Sequence, residues 1–366
     1  MPSFKPSDLW NAEPHTLAKI EIVRRYLYLW FYILGTKNRR LAYIDGFAGP
    51  GKYANSNESS PIAALSAAKA ATERLVASPE CYFYFIEKES TFAARLTDVI
   101  ADSSWPKEFA FDVKPGTFDQ ELPGILENLK KQPGGIPPTF AFIDPFGATG
   151  VPFSLVAEIL KYRSCEVLIN LDSDGIGRLV AAQFIDRNRE HLDQIFGDRV
   201  WREMLDARAP MPVLCAQVLA LYKARLRSLT KVEYCFSFAM KTSKEALNYH
   251  LVFASQHPLG LRKMKDAMKA VDQSGFYSFS DDAVGQSHFS FTEPAEPAAR
   301  MLKALAGSWR PWKHFDDFAL NESPFENPKS MLKHLKSQGK VQIQWLGQPA
   351  KTGFPENKIK LIKLDQ

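Results

Sequence analysis

Short apolar runs alternate with amphipathic stretches along most of this chain. Five runs have the length and the β-branched or aromatic content of buried strands, at residues 41–45, 82–87, 109–113, 140–144 and 166–171. Apolar residues recur with a helical period in the segments between them, at residues 60–76, 91–100, 121–131 and 154–162. This alternation predicts a mainly parallel sheet that is covered by helices.

Two further strand patterns, at residues 232–240 and 248–254, lie close enough in sequence to pair as an antiparallel hairpin. They follow a region of helical patterns, residues 176–229, that interrupts the alternation. Parallel strands that end in one antiparallel hairpin are typical of the methyltransferase variant of the Rossmann sheet. We therefore expect an α/β domain of this Rossmann-like methyltransferase type over residues 1–290. Its helical insertion, at about 176–229, either shapes a substrate pocket or only packs.

The pattern changes after residues 281–297, whose composition indicates a linker. Short helices follow, and the last of them, at residues 328–338, ends at Gly339. Two alternating strands come next, at residues 341–345 and 359–364, joined by a loop that contains Gly and Pro. A helix followed by such a hairpin predicts a small winged-helix domain over residues 291–366.

The composition is that of a globular protein. With 366 residues and 45% hydrophobic content, the chain has enough apolar material to form a large core without disulfides. Its longest early apolar run, residues 26–34, is too short to span a bilayer, and no secretory signal is visible. The four cysteines are scattered without a CxxC pair, which argues against a zinc site or a disulfide framework. We expect a cytoplasmic protein without a metal site or a membrane partner.

The net charge of +5 is unevenly distributed. Residues 300–366 contain 12 Lys and Arg against 6 Asp and Glu, whereas the rest of the chain has 34 basic and 35 acidic residues. The positive excess therefore lies in the last fifth of the chain, which indicates two electrostatically different bodies.

Part of this excess lies on one face of the last predicted helix. Lys329, Lys333 and Lys336 are spaced four and three residues apart, opposite the apolar pair Leu332 and Leu335. The hairpin that follows adds three more lysines, Lys358, Lys360 and Lys363. This arrangement predicts contacts with nucleic-acid phosphates, with a merely solvated face or a protein-docking face as the alternatives.

A glycine-rich turn directly follows the first predicted strand, and its sequence is Asp45-Gly46-Phe47-Ala48-Gly49-Pro50-Gly51. Glycines at this position allow the backbone to approach a ligand at the carboxyl edge of the sheet. The motif is not GxGxxG, and the next helical pattern begins only near Ser60, so S-adenosylmethionine fits better than a dinucleotide. We predict that Asp45, Gly46, Phe47, Ala48, Gly49 and Gly51 bind this cofactor. An ordinary tight turn is the alternative.

Two other strand ends are candidate contacts for the same cofactor. Glu87 closes the second strand, where an acid can accept hydrogen bonds from the hydroxyls of a ribose. Thr117 and Phe118 follow the third strand and are predicted to border the adenine, with the Phe118 ring packing on its face. A solvated acid and a plain loop are the respective alternatives.

Asp144, Pro145 and Phe146 end the fourth strand, at the expected switch point of the sheet, and are the candidate catalytic residues. Amino-methyltransferases place Asp/Asn-Pro-Pro-Tyr/Phe here, because a carboxylate or amide can accept hydrogen bonds from an amine while an aromatic ring stacks on a base. Here Phe146 and Gly147 replace the second proline and the final aromatic residue. The sequence therefore supports a role for Asp144 more strongly than it supports any particular target atom. The alternative is that Asp144 only caps the loop into the next helix.

Three further residues are candidates for substrate contacts. His15 and Lys19 lie one turn apart on an amphipathic stretch before the first strand, and they are predicted to reach the methionine carboxylate or the substrate. Arg178 follows the fifth strand and is a candidate anion contact. A solvated polar face is the alternative for His15 and Lys19.

Four blocks of this sequence together resemble a known family, the three-Cys-motif partner proteins (TcmP). They are residues 43–51, 60–61, 142–147 and 249–254, the last followed by Met264, and the resemblance covers about residues 10–280. It implies a Rossmann-like methyltransferase fold and a partner protein with a three-cysteine motif of radical S-adenosylmethionine character. The same region is similar to ribosomal RNA adenine-N6 methyltransferases, which carry Asp-Pro-Pro-Tyr where this chain has Asp144-Pro145-Phe146-Gly147.

The sequence thus predicts methyl transfer from S-adenosylmethionine to a nitrogen of a nucleobase, in nucleic acid or in a nucleotide. Positioning of the two reactants would supply most of the catalysis. Two alternatives remain open at this point. One is a non-catalytic protein on the same fold that binds DNA or a partner protein, and the other is a methyltransferase of small molecules.

Overall fold

The structure is a computed structural model that describes residues 9–145, 151–181, 185–241, 247–275, 277–284, 293–350 and 352–365. The chain divides into two compact units. The first comprises Met1–Gln273 and Ser278–Gln286, and the second comprises Ser274–Tyr277 and Ser287–Gln366.

The first unit contains a sheet in which the described residues form eight strands. In chain order these are β1 (Arg40–Asp45), β2 (Glu80–Glu87), β3 (Phe109–Pro115), β4 (Thr139–Ile143), β5 (Cys165–Leu171), β6 (Tyr234–Lys241), β7 (Leu247–Ser255) and β8 (Ser278–Ser280). The spatial order is β3-β2-β1-β4-β5-β7-β6-β8. Strands β1 to β5 pair in parallel, and β7 lies antiparallel to both β5 and β6. The predicted α/β class, a Rossmann-like methyltransferase sheet with an antiparallel hairpin, is confirmed.

Helices cover both faces of this sheet. In chain order they are α1 (Pro14–Gly35), α2 (Ser60–Thr72), α3 (Ser90–Ala101), α4 (Phe118–Lys131), α5 (Phe153–Leu160), α6 (Ser173–Val180), α7 (Ile185–Phe196), α8 (Trp201–Met204), α9 (Met211–Leu229) and α10 (Pro258–Lys269). β1 and β4 are buried on both sides, as expected for central strands of a parallel sheet. Helices α6 to α9 correspond to the predicted insertion, although α6 begins at Ser173 because the Asp172 side chain caps it.

Aromatic side chains attach α1 to one face of the sheet. The ring of Tyr26 lies 5.2 Å from that of Phe140 and 5.3 Å from that of Phe253, which places β4 and β7 beneath the same helix. On the other face, Leu126, Val156 and Val218 from three different helices share one apolar core with the strands. Burial of these faces fixes the strand register and therefore determines which strand ends lie side by side.

The second unit is built from three helices and a hairpin. The helices are α11 (Ala295–Leu305), α12 (Trp312–Glu322) and α13 (Lys329–Ser337), and the strands are β9 (Val341–Trp345) and β10 (Ile359–Leu364). Arg310, between α11 and α12, forms an antiparallel bridge with Ile362 of β10. A separate apolar core holds these elements together and includes Phe315, Leu332 and Ile362.

Some elements differ from the sequence prediction. Helix α2 ends at Thr72 rather than at residue 76, and α4 begins at Phe118 rather than at residue 121. The three-residue strand β8 pairs in parallel with β6 and was not predicted, because so short a segment carries no periodic signal. The predicted linker also begins too early, since Asp281 accepts a hydrogen bond from the backbone N–H of His15 in α1 and so belongs to the first unit.

Candidate cofactor and acceptor site

The glycine-rich turn lies at the carboxyl edge of the sheet, between β1 and α2. Gly49 and Gly51 have φ angles of 66° and 87°, in the left-handed region that other residues rarely adopt. A Cβ atom on Gly46 would lie 2.7 Å from the ring of Phe118, so only glycine allows that ring to approach the turn. Helix α4 brings Phe118 close to the turn, and its ring stacks on Phe47 with the ring centroids 5.8 Å apart.

Glu87, the last residue of β2, is bonded to this turn. One carboxylate oxygen accepts a hydrogen bond of 2.8 Å from the backbone N–H of Gly49, and the other accepts one of 2.8 Å from the N–H of Glu89. Each carboxylate oxygen can accept a second hydrogen bond, so a ribose diol could bind here in addition. Glu87 therefore shapes the turn and also presents acceptors at the edge of the sheet.

A cavity of about 560 Å³ lies over the turn, within the size range typical of small-molecule sites. Six of the predicted cofactor residues line it, namely Gly46, Phe47, Gly49, Glu87, Thr117 and Phe118. The hydroxyl oxygen of Thr117 is buried without a hydrogen-bond partner in the described part of the chain. Sequence reasoning did not identify Trp10 and Phe92, which also line the cavity and whose rings lie 5.6 Å apart.

The other three predicted cofactor residues do not line this cavity. Ala48 is buried, and its N–H donates to the carbonyl of Ile86. A Cβ atom on Gly51 would lie 3.0 Å from Leu96, so this glycine allows the turn to pack on α3. Asp45 lies fully buried behind the turn and accepts hydrogen bonds from the Tyr43 hydroxyl and the Phe47 N–H. Burial raises the pKa of Asp45 to about 7, and the nearby Asp144 charge adds to the increase.

Asp144 directly follows β4 at the same edge of the sheet, and both of its carboxylate oxygens are bonded. The Lys19 ammonium lies 2.5 Å from one oxygen, and the Asn170 amide donates to the other at 2.7 Å. The Lys19 side chain is only 9% exposed and that of Asp144 is 20% exposed, so this ion pair between α1 and the end of β4 is largely shielded from water. Asn170 is the penultimate residue of β5, and its amide oxygen is buried without a partner among the residues described.

Two further polar side chains lie next to this ion pair. Tyr249 of β7 lies two residues from Leu251, the register partner of Asn170, and Lys19 is 5.5 Å from the centre of its ring. The hydroxyl of Tyr249 is buried and has no hydrogen-bond partner in the described ranges. His15 lies 5.9 Å from the same ring, and its Nδ1 is 2.8 Å from the Asp281 carboxylate. The strand ends and α1 therefore form a polar acceptor cluster: Lys19, Asp144, Asn170 and Tyr249.

The remaining candidate residues in the first unit are Arg178, Pro145 and Phe146. Arg178 is exposed and pairs with Asp174 one turn away on α6, so it does not reach the acceptor cluster. Pro145 is buried next to Asp144, whereas Phe146 lies outside the described residues. Asn170 and Tyr249 were not predicted as site residues, because the parallel register of β4 and β5 brings Asn170 to Asp144 and the antiparallel register of β5 and β7 adds Tyr249.

The three helix lysines of the second unit are exposed. Lys329, Lys333 and Lys336 share the outer face of α13, opposite the buried Leu332 and Leu335. The ammonium of Lys336 also lies 5.6 Å from the ring of Phe354 in the loop between β9 and β10. The exposed face of α13 therefore carries the charge that the sequence indicated.

No protein-family model matches the chain, and no curated protein does. Similar solved structures include the O-methyltransferase TomG from Streptomyces achromogenes in complex with SAM, with 16% identity, coverage of 68% of this chain and 93% of TomG, and a TM-score of 0.35. Another is Trm1 from Pyrococcus horikoshii with S-adenosyl-L-methionine, with 9% identity, coverage of 94% and 90%, and a TM-score of 0.39. A putative O-methyltransferase from Klebsiella pneumoniae has 10% identity, coverage of 67% and 91%, and a TM-score of 0.32.

Among the residues that the structure describes, no helix is long and apolar enough to cross a membrane. The same residues contain no group of three or more His, Cys, Asp or Glu side chains arranged to hold a metal ion.

Proposed function

We propose that this chain is an S-adenosylmethionine-dependent methyltransferase. The observation that carries the proposal is the cavity bounded by the glycine turn, Glu87 and the pair Thr117 and Phe118. The chain passes from β3, at one edge of the sheet, to β4, on the other side of β1. Open α/β sheets bind ligands at such a switch point, and the cavity lies there.

The residues present fit this cofactor. Glu87 offers carboxylate acceptors to a ribose diol, and the unpartnered Thr117 hydroxyl offers a hydrogen bond to a polar edge of the adenine. The rings of Phe118 and Phe47 provide an apolar surface for the base. When bound, S-adenosylmethionine supplies an electrophilic methyl group on a sulfonium.

We propose that the methyl acceptor is a nitrogen of a nucleobase and that Asp144 orients it. The Lys19 ammonium contacts one oxygen of the Asp144 carboxylate, and the Asn170 amide donates a hydrogen bond to the other. The acceptor cluster thereby presents fixed charges and hydrogen-bonding atoms next to the cofactor cavity, and such preorganisation lowers the barrier by orientation. The cytoplasm is the proposed compartment. The proposed partner, a three-Cys-motif protein, is supported only by the sequence resemblance.

The first test concerns cofactor binding. Replacing Gly49 with valine forces a β-branched residue to φ 66° beside the cavity, and we expect affinity for S-adenosylhomocysteine to fall at least about tenfold. Gly135→Val is the matched control, because Gly135 has φ 72° and equally open surroundings but lies in the loop before β4. Isothermal titration calorimetry measures both. If S-adenosylhomocysteine does not bind the unaltered chain, the proposed function is wrong.

We further propose that the second unit is a winged helix that contacts nucleic acid through α13. Its order of three helices and a hairpin, together with the bridge from Arg310 to Ile362, supports this assignment. Replacing Lys329, Lys333 and Lys336 with glutamine is expected to weaken RNA or DNA binding. The slope of log affinity against log salt should become shallower by about 2–3 units, as expected for three lost phosphate contacts.

Fluorescence anisotropy of the full chain with labelled RNA and DNA, over a series of salt concentrations, measures this slope. The triple variant at Lys107, Lys130 and Lys131 of the first unit is the charge-matched control, because these lysines are also exposed. Equal slopes for the two triple variants would contradict a role of α13 in phosphate contact.

A further inference from the structure

A second cavity, of about 300 Å³, lies at the edge of the sheet opposite the glycine turn. It is enclosed by the end of α1, the start of β5 and the segment that joins β7 to α10. None of its lining residues belongs to the acceptor cluster or to the cofactor cavity. It is therefore a separate candidate site within the first unit.

The floor of this cavity is formed by the carboxyl group of Glu166, which is only 7% exposed. The Tyr26 hydroxyl donates to one of its oxygens at 2.6 Å, and the Ser255 hydroxyl donates to the other at 2.6 Å. A Cβ atom on Gly260 would lie 2.1 Å from the Glu166 carboxylate, so the first turn of α10 reaches this group only because residue 260 is glycine.

This carboxyl group has no cationic partner among the described residues. The Tyr26 and Ser255 hydroxyls that donate to it and the nearby Trp30 indole are all neutral, and burial raises the pKa of Glu166. The positive end of the α10 dipole stabilises its ionised form, but a helix end supplies only about half a charge. A buried carboxylate is most stable when a full positive charge and further hydrogen bonds accompany it.

The wall and the mouth of the cavity have different chemistry. Trp30, Ile33 and Leu34 of α1 form an apolar wall. Lys37 and Arg163 line the cavity and are exposed to solvent, so the opening of the cavity is positively charged. A cation without a negative group would be repelled by these side chains as it entered, whereas a ligand with an acidic end would be attracted.

We propose that this cavity binds a small zwitterion with an apolar body, its ammonium group against Glu166 and its carboxylate at Lys37 and Arg163. The ammonium supplies the missing positive charge and donates hydrogen bonds to the free lone pairs of Glu166. The apolar body contacts Trp30 and Ile33, and the small volume limits the ligand to the size of a short ω-amino acid. This site does not depend on the proposed methyl transfer.

Calorimetric titration of the full chain with three probes tests the proposal. The probe 6-aminohexanoate carries both charged ends, whereas hexylamine lacks the acid and hexanoate lacks the amine. We expect 6-aminohexanoate to bind at least about tenfold more tightly than either half-probe, because each half-probe loses one charge-assisted contact. Equal binding of hexanoate and 6-aminohexanoate, or no binding of any probe, would overturn the proposal.

Two variants test which side chain contacts each charged end of 6-aminohexanoate. Glu166→Gln keeps an acceptor for Tyr26 or Ser255 but removes the charge, so it should reduce affinity for 6-aminohexanoate to that for hexanoate. Arg163 is exposed, so Arg163→Gln should leave folding intact. This substitution should weaken the binding of 6-aminohexanoate but not the binding of hexylamine. Glu158→Gln, on the exposed side of α5, is the control and should change neither. Unchanged affinities in Arg163→Gln would contradict the proposed orientation, even if Glu166→Gln did not fold.

Discussion

Replacing Asp144 with alanine is expected to reduce methyl transfer at least about 100-fold, because misplacement of an acceptor by about 1 Å already costs that much. The substitution removes the carboxylate that holds Lys19 and Asn170 in place. Affinity for S-adenosylhomocysteine should remain within a few-fold, since Asp144 does not line the cofactor cavity. The assay measures tritium transferred from labelled S-adenosylmethionine to the acceptor most rapidly methylated in a pool of RNA, DNA and nucleotides.

The matched control for this experiment is Asp174→Ala. Asp174 lies near the same edge of the sheet, but it pairs with the exposed Arg178 on its own helix and makes no contact with the acceptor cluster. It should therefore retain nearly full activity. Full activity in Asp144→Ala, with a normal circular dichroism spectrum, would remove Asp144 from the mechanism. A parallel loss of cofactor affinity would instead indicate that the turn itself had changed.

The stability of the unaltered chain relative to an Asp45→Asn variant is expected to fall as the pH rises from about 4 to about 7. Asp45 is fully buried, and its pKa is raised from 3.8 to about 7. The folded state therefore binds this proton more tightly than the unfolded state does. The stabilisation is complete below the unfolded pKa and is lost as the pH rises through the folded pKa. The total change is about 4 kcal/mol, at about 1.4 kcal/mol per pKa unit.

Urea denaturation of both proteins across this pH range measures the effect as a difference in the free energy of unfolding. Loss of the Tyr43 and Phe47 hydrogen bonds in the asparagine variant would shift this difference by a constant, which leaves the pH dependence intact. Asp112→Asn is the control for the same substitution at a position whose side chain is 46% exposed. A stability difference for Asp45→Asn that does not change with pH would show that Asp45 does not titrate with a raised pKa.

The cofactor cavity shows how far local sequence signals extend. Six of the nine residues predicted to bind the cofactor line it. These residues lie at strand ends and in a turn, and the local sequence determines where a strand ends and where a turn begins. Asp45, Ala48 and Gly51 belong to the same turn but face the core or a neighbouring helix. A sequence pattern identifies the turn, yet which of its residues face outward depends on what packs behind it.

The hydrophobic periodicity determined the strands, most of the helices and the parallel order of the sheet, because burial of alternating or helical faces is a property of each segment. Only the tertiary structure decided which polar groups meet. Lys19 pairs with Asp144 across 125 positions, and Asn170 joins them through the register of neighbouring strands. Glu166 is likewise bonded by Tyr26 and Ser255, 140 and 89 positions away. Such contacts depend on how helices and strands pack over long sequence separations, so no local pattern can specify them.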